Sequence, residues 1–135
     1  MDSAVIKIPS NFKYIKDISS KVVDFLKQAR SNIDQSLLFD VRLCIEEALI
    51  NAIKHGNKMN QRLTVAVNYK INGDKLVVVI EDEGGGFNYK HLPDPTKENN
   101  LLRGSGRGVY LIHHLMDEVT YNKKGNQLTL VKYLK

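Results

Sequence analysis

The residues able to do chemistry in this 135-residue sequence fall into three clusters. The first is Glu46-Glu47-Ala48-Leu49-Ile50-Asn51, running on through Ala52-Ile53-Lys54-His55-Gly56-Asn57. Glu47 and Asn51 are four residues apart, so on a helix they share one face. An amide oxygen is a hard, neutral ligand suited to Mg²⁺, which takes few protein ligands and keeps most of its waters. A carboxylate beside it can orient or deprotonate a nucleophile. On spacing alone, a polar stripe facing water is the better reading. The second cluster is Glu81-Asp82-Glu83-Gly84-Gly85-Gly86-Phe87. It sets a carboxylate beside open glycine backbone. The competing reading is an ordinary turn, although three consecutive glycines cost ordering entropy that a mere turn does not require. The third is Arg103-Gly104-Ser105-Gly106-Arg107-Gly108-Val109. Alternate glycines let backbone approach an anion, and a helix N-terminus just after them offers free N–H groups. Gly-x-Gly-x-Gly is weak by itself. It is not a Walker motif, which needs Gly-Lys-Ser/Thr, nor a Rossmann fingerprint, which follows the first strand of a βαβ unit.

The elements that must position these clusters read as follows. Ala4 to Ile8 is a short strand, broken by Pro9-Ser10-Asn11. Ile15, Ile18, Val22, Phe25 and Leu26 recur at helical spacing, which predicts a helix from Phe12 to Ala29. Asp34 is placed to cap a second helix from Gln35 to His55, and Gly56 to end it. The first cluster therefore lies on a helix. Leu63 to Ile71 alternates as a strand, Asn72-Gly73-Asp74 turns, and Leu76 to Ile80 is a continuous apolar run expected to be buried on both faces. The second cluster thus caps the most apolar strand. Asp82 to Arg103 reads as a long loop, and a loop of that length in a compact domain is usually functional. Gly108 to Met116 is a third helix, so the third cluster opens it. Glu118 to Asn122 and Gln127 to Leu134 make a closing hairpin across Lys123-Lys124-Gly125-Asn126. This order predicts an α+β two-layer sandwich, with a mixed sheet and three helices on one face.

Bulk properties narrow the class. The length fits one domain, residues 1–135, and 42% hydrophobic residues supply a core and argue against disorder. No signal peptide and no apolar stretch of membrane-spanning length is visible. The one cysteine, Cys44, cannot form an internal disulfide and reads as packing in a cytoplasmic protein. The net charge of +5 comes from scattered lysines and arginines, which reads as a solvated basic surface rather than a nucleic-acid site. His113 and His114 are adjacent on the third helix and do not share a face, which disfavours a metal pair.

Taken in order, Glu47-x-x-x-Asn51, Asp82-x-Gly84-x-Gly86 and Gly104-x-Gly106-x-Gly108 resemble the N, G1 and G2 boxes of the GHKL ATPases. That superfamily includes DNA gyrase, heat-shock chaperones, mismatch-repair ATPases and histidine kinases. The resemblance covers essentially the whole chain and implies the Bergerat ATP-binding fold. Within the superfamily, Asn51-Ala52-Ile53-Lys54-His55-Gly56, Pro93-Asp94-Pro95, Glu98-Asn99-Asn100-Leu101-Leu102, Ser105-Gly106-Arg107-Gly108 and Met116-Asp117-Glu118-Val119 resemble the bacterial anti-sigma factor serine kinases. These bind a sigma factor and phosphorylate a serine on a small anti-anti-sigma antagonist, and dimers are usual among them.

By matching position, the resemblance implies ATP and Mg²⁺ as ligands. Asn51 binds the metal and Glu47 is the general base on the serine hydroxyl. Asp82 accepts a hydrogen bond from the adenine amino group, and Gly84 and Gly86 let the base sit against the strand end. Gly104, Ser105, Gly106, Arg107 and Gly108 line the phosphates, and Tyr89 to Arg103 is the lid. The implied partners are a sigma factor and its antagonist protein, and a second copy of the chain is a further candidate; direct contact with nucleic acid or membrane is not expected. The competing function is a non-catalytic ATP-binding switch that sequesters a transcription or signalling partner. An intact Glu47 favours the kinase, because a pure switch needs no base. A stand-alone histidine autokinase lacks its helical dimerisation segment here, and a gyrase-like or chaperone ATPase its transducer domain.

Overall fold

A computed structural model describes residues 3–84 and 107–134. The order is β1 (Ser3–Pro9), a 3₁₀ turn (Phe12–Tyr14), α1 (Ile15–Ala29), α2 (Gln35–Asn51), a π-helical turn (Ala52–Gly56), β2 (Thr64–Asn72), β3 (Lys75–Asp82), α3 (Arg107–Leu115), β4 (Glu118–Tyr121) and β5 (Gln127–Tyr133). Asp34 caps α2 as its type and position require, its carboxylate accepting from the Ser36 N–H at 3.1 Å. The β2–β3 hairpin turns through Gly73 at φ 62°, the left-handed region that glycine enters without steric penalty.

The strands order as β1-β2-β3-β5-β4. The expected mixed sheet is corrected here, since all four pairings among the described residues are antiparallel. β3 and β4 do run in the same direction, as a strand–helix–strand crossover dictates, but β5 inserts between them and pairs antiparallel with both.

Residues alternate across each strand. The inward set, Ile8, Val65, Val67, Tyr69, Leu76, Val78, Ile80, Leu128 and Leu130, forms one core with Ile18, Val22 and Leu26 of α1, Val41, Ile45 and Leu49 of α2, and Ile112 of α3. Each large side chain withdrawn fully from water contributes about 1.5–3 kcal/mol. Phe25 sets the edge of its ring against Tyr69, centroids 5.1 Å apart, which fixes α1 over β2.

The helices thus cover one face of the sheet. On the other face Val77 and Val79 are only half-buried, which corrects the expectation that β3 is buried on both sides. The apolar run has a different source: its outward valines sit between the polar cross-strand neighbours Lys70 and Asn68 and the β5 residues Val131 and Thr129. Among the described residues no helix is long and apolar enough to cross a membrane.

Candidate active site

The alternation that buries Leu76, Val78 and Ile80 carries Asp82 onto the same, helix-covered face, at the point where β3 ends. Glu81 and Glu83, one residue either way, face outward. Asp82 is 7% exposed. Burial raises its carboxyl pKa above the ordinary aspartate value, opposed by the Gly84 N–H, which donates to Oδ1 at 2.8 Å.

Two glycines make room for this carboxylate. A Cβ on Gly56 would collide with the Asp82 carboxylate, and a Cβ on Gly84 would collide with the Gly56 carbonyl. Two chain segments, the turn at Gly56 and the end of β3, meet here without side chains between them. Asn57, buried at 2% exposure, stitches the surroundings. Its Nδ2 donates to Ser10 Oγ at 2.8 Å and to the Thr64 carbonyl at 3.0 Å, and its Oδ1 accepts from the Glu83 N–H at 2.8 Å. Glu83 in turn accepts from the Thr64 hydroxyl at 2.9 Å.

Above Asp82 lies the last turn of α2. Asn51, Ala48 and Ala52 share with Asp82, Ile80, Tyr121, Asn126 and Leu128 the lining of a small cavity that opens to solvent. The two adjacent glutamates of α2 point to different neighbours. Glu46 accepts a hydrogen bond from Ser19 Oγ of α1 at 2.7 Å, and Arg42 reaches the same hydroxyl at 3.4 Å. Glu47 turns toward α3: a Cβ on Gly108 would lie 2.7 Å from Glu47 Oε1. Glycine at the start of α3 lets the helix N-terminus, its positive end, stand directly on that carboxylate. No hydrogen bond to another described residue engages the side chain of Glu47 or Asn51. An amide oxygen one helical turn from a carboxylate is a donor set that fits a hard cation and a proton to be moved.

The sequence profile of the histidine kinase-like ATPase domain matches residues 8–132, nearly the whole chain. The chain belongs to the histidine kinase-like ATPase family. Among its curated relatives is a serine-protein kinase RsbW of Staphylococcus epidermidis, 32% identical over 142 aligned residues that cover 99% of this chain and 88% of that protein. Another, from Staphylococcus aureus strain MSSA476, is 31% identical over the same shares. A histidine kinase-like ATPase uses ATP, and in this member the cavity between α2 and the ends of β3 and β5 gathers Asn51 and Asp82, with Glu47 one helical turn away.

Of the residues expected at a nucleotide site, Asn51 and Asp82 line one cavity, Gly84 stands against Gly56 beside Asp82, and Gly108 packs against Glu47. Gly86, Gly104, Ser105, Gly106 and the lid Tyr89 to Arg103 lie outside the described residues, as does the side chain of Arg107. Ser10, Asn57, Tyr121, Asn122 and Asn126 carry no individual site role in the sequence, and Gly56 is expected there only as a helix end. The end of α2 instead widens into the π turn Ala52–Gly56, and the left-handed residues that follow it are Lys58 and Met59, at φ 52° and 62°. A π turn in a helix is frequent at functional sites. The third-helix histidines part ways: His114 stacks on Tyr110 at 5.8 Å, and His113 tilts toward Tyr121 at 6.3 Å. Cys44 is fully buried, and burial with nearby Asp40 pushes its thiol up to about 12, so it stays protonated and unreactive.

Gly56→Ala tests the close approach. Gly56 has ordinary helical backbone, so what requires glycine is space. The added methyl displaces the Asp82 carboxylate and costs about 1–3 kcal/mol of overpacking. The variant is expected to melt lower than the parent and to bind ATP more weakly. Unchanged melting and unchanged ATP titration would show that the two segments are not in contact.

Proposed function

We propose that this chain is an ATP-dependent protein serine kinase and anti-sigma factor. It holds a sigma factor and phosphorylates a serine on an anti-anti-sigma partner. The observation that carries this reading is the placement of Glu47: unengaged by any described hydrogen bond, one turn from Asn51, with the start of α3 packed on its carboxylate. The likeness to serine-protein kinases over almost the full length supports it.

In this reading Asn51 offers its amide oxygen to Mg²⁺, which supplies charge neutralisation at the phosphates when bound. Asp82 accepts from the adenine amino group at the cavity floor, and Gly84 and Gly86 let the ring approach. Gly104, Ser105, Gly106, Arg107 and Gly108 bring backbone N–H groups and a guanidinium to the phosphates. Glu47 takes the proton from the serine hydroxyl as its oxygen bonds to the γ-phosphorus. The bond to the bridging oxygen breaks, and ADP leaves. The work is done in the cytoplasm, in keeping with a single buried thiol. A second copy of the chain covers the open face of the sheet, where Val5 is 66% exposed and Val79, two strands away across Asn68, is half-buried. Sedimentation at graded concentrations checks this, and a monomer throughout overturns it.

The test of the function is capture from the native cell with Mg-ATP and with Mg-ADP, followed by phosphosite mapping. The expected result is a sigma factor and a small acceptor protein, the latter carrying phosphoserine only after incubation with ATP. Recovery of a partner that never becomes phosphorylated would replace the kinase with the non-catalytic switch.

A further inference from the structure

The β4–β5 hairpin carries a chain of hydrogen bonds that ends on Asp82. It begins at the turn. Asn122 Oδ1 accepts from three backbone N–H groups, those of Gly125 at 2.8 Å, Asn126 at 3.0 Å and Gln127 at 3.2 Å. Three donors on one oxygen fix which end of the Asn122 amide is oxygen. Its Nδ2 therefore points the other way, and it donates to Asn126 Oδ1 at 2.8 Å. That bond fixes the second amide in turn. Asn126 Nδ2 is left facing the Asp82 carbonyl, to which it donates at 3.1 Å, while the Asn126 carbonyl accepts from the Asp82 N–H at 2.9 Å. Flipping either amide would set oxygen against oxygen, or N–H against N–H, along the whole path.

The location gives this chain its use. The regular β3–β5 ladder ends at the pair Glu81–Gln127. Asp82 lies one residue past it, still paired with Val65 of β2 on one side but, where β5 has curled into the hairpin, without a regular ladder partner on the other. Asn126 fills that role with both its backbone and its side chain. Gly125, at φ 84°, makes the curl that allows it. Asn126, Tyr121 and Asp82 then line one cavity together.

We propose that Asn122 and Asn126 are positioning residues for nucleotide selection: they hold the main chain of Asp82 so that its carboxylate meets the adenine edge. The proposal rests on the reading of Asp82 as the adenine acceptor. Loss of the relay leaves the carboxylate in place but free to shift, and affinity built on one well-aimed hydrogen bond falls with aim. Asn126→Ala removes the donor to the Asp82 carbonyl. Asn122→Asp keeps the acceptor that closes the turn, and so the hairpin, but removes the donor that orients Asn126.

Both variants are titrated with Mg-ATP and Mg-GTP, in the parent background and with Asp82→Asn. The expected result is a roughly five- to tenfold loss of ATP affinity in each, with GTP binding unchanged. With Asp82→Asn already present, the same two changes are expected to alter ATP affinity less than twofold, because residues acting through one group are not additive. A merely structural hairpin role would persist in that background. Full ATP affinity in either folded variant overturns the proposal, and so does an undiminished loss beside Asp82→Asn. A parent that binds ATP and GTP alike overturns the assignment of Asp82 itself.

Discussion

Replacing Glu47 by alanine is expected to cut phosphotransfer roughly 10²–10⁴-fold, the usual worth of a positioned general base, while ATP binding stays close to that of the parent. The split follows from where Glu47 stands. It is half-buried, makes no hydrogen bond to another described residue and does not line the cavity that Asn51 and Asp82 share, so ligand binding has little to lose. Its neighbour cannot take over, because the Glu46 carboxylate is turned to α1, where it accepts from Ser19 Oγ. Glu47→Gln is the sharper variant. It keeps the shape against Gly108 and removes only the ability to accept the proton. Both variants are incubated with labelled ATP and the acceptor protein, and ATP affinity is measured by titration. A fall in kcat with binding retained is the signature of an interaction used only on the way to the transition state. Equal phosphate incorporation by parent and variants would remove Glu47 from the mechanism and favour the switch.

That Glu47 rather than Glu46 shares a helix face with Asn51 was legible in the sequence, because a four-residue spacing survives any reasonable placement of helix ends. The same holds for Asp82, whose side of the sheet follows from counting by twos from Leu76. Local periodicity also placed every helix and strand to within a few residues. What escaped is non-local. Nothing in the spacing of His55-Gly56-Asn57 says that Gly56 will stand against a carboxylate twenty-six residues on, since that contact exists only once α2 is laid across the end of β3. A glycine beside a helix end has a sufficient local explanation, which hid the steric one. Asn122 and Asn126 escaped for a similar reason. Asparagine is an ordinary turn residue, and only the fold reveals that this turn closes on the strand carrying Asp82. A mixed sheet does not follow from the element order, because sequence order cannot show that β5 slips between β3 and β4 and pairs antiparallel with both.

Asp82→Asn is expected to separate stability from function at one atom, and the argument starts with charge. Burial disfavours the ionised carboxylate and lifts its pKa above the ordinary value. In the range between the unfolded and folded values, the folded chain holds a proton that the unfolded chain has released. Stability therefore falls as pH rises through that range, and the deficit remains at neutral pH. An uncharged amide of the same shape escapes it, so the nucleotide-free variant is expected to melt higher than the parent at pH 7, with the difference shrinking at acid pH. Binding moves the opposite way. Oδ1 is already held by the Gly84 N–H, which will keep an oxygen at that position in the variant. The amine of the new amide then occupies the position of Oδ2, the oxygen left for a ligand. An ionised carboxylate only accepts, and adenine offers it an amino group, whereas guanine offers a carbonyl at the same place. With an amine there instead, adenine meets donor with donor and guanine finds a partner. One buried mismatch of this kind is worth roughly 1–3 kcal/mol, about 10–100-fold in affinity. Calorimetric titration of both proteins with Mg-ATP and Mg-GTP is expected to show ATP affinity reduced by that factor and the gap to GTP narrowed or reversed. A variant that melts higher yet keeps the parent's full preference for ATP would place the adenine away from Asp82 and leave its carboxylate as a buried charge with no ligand to select.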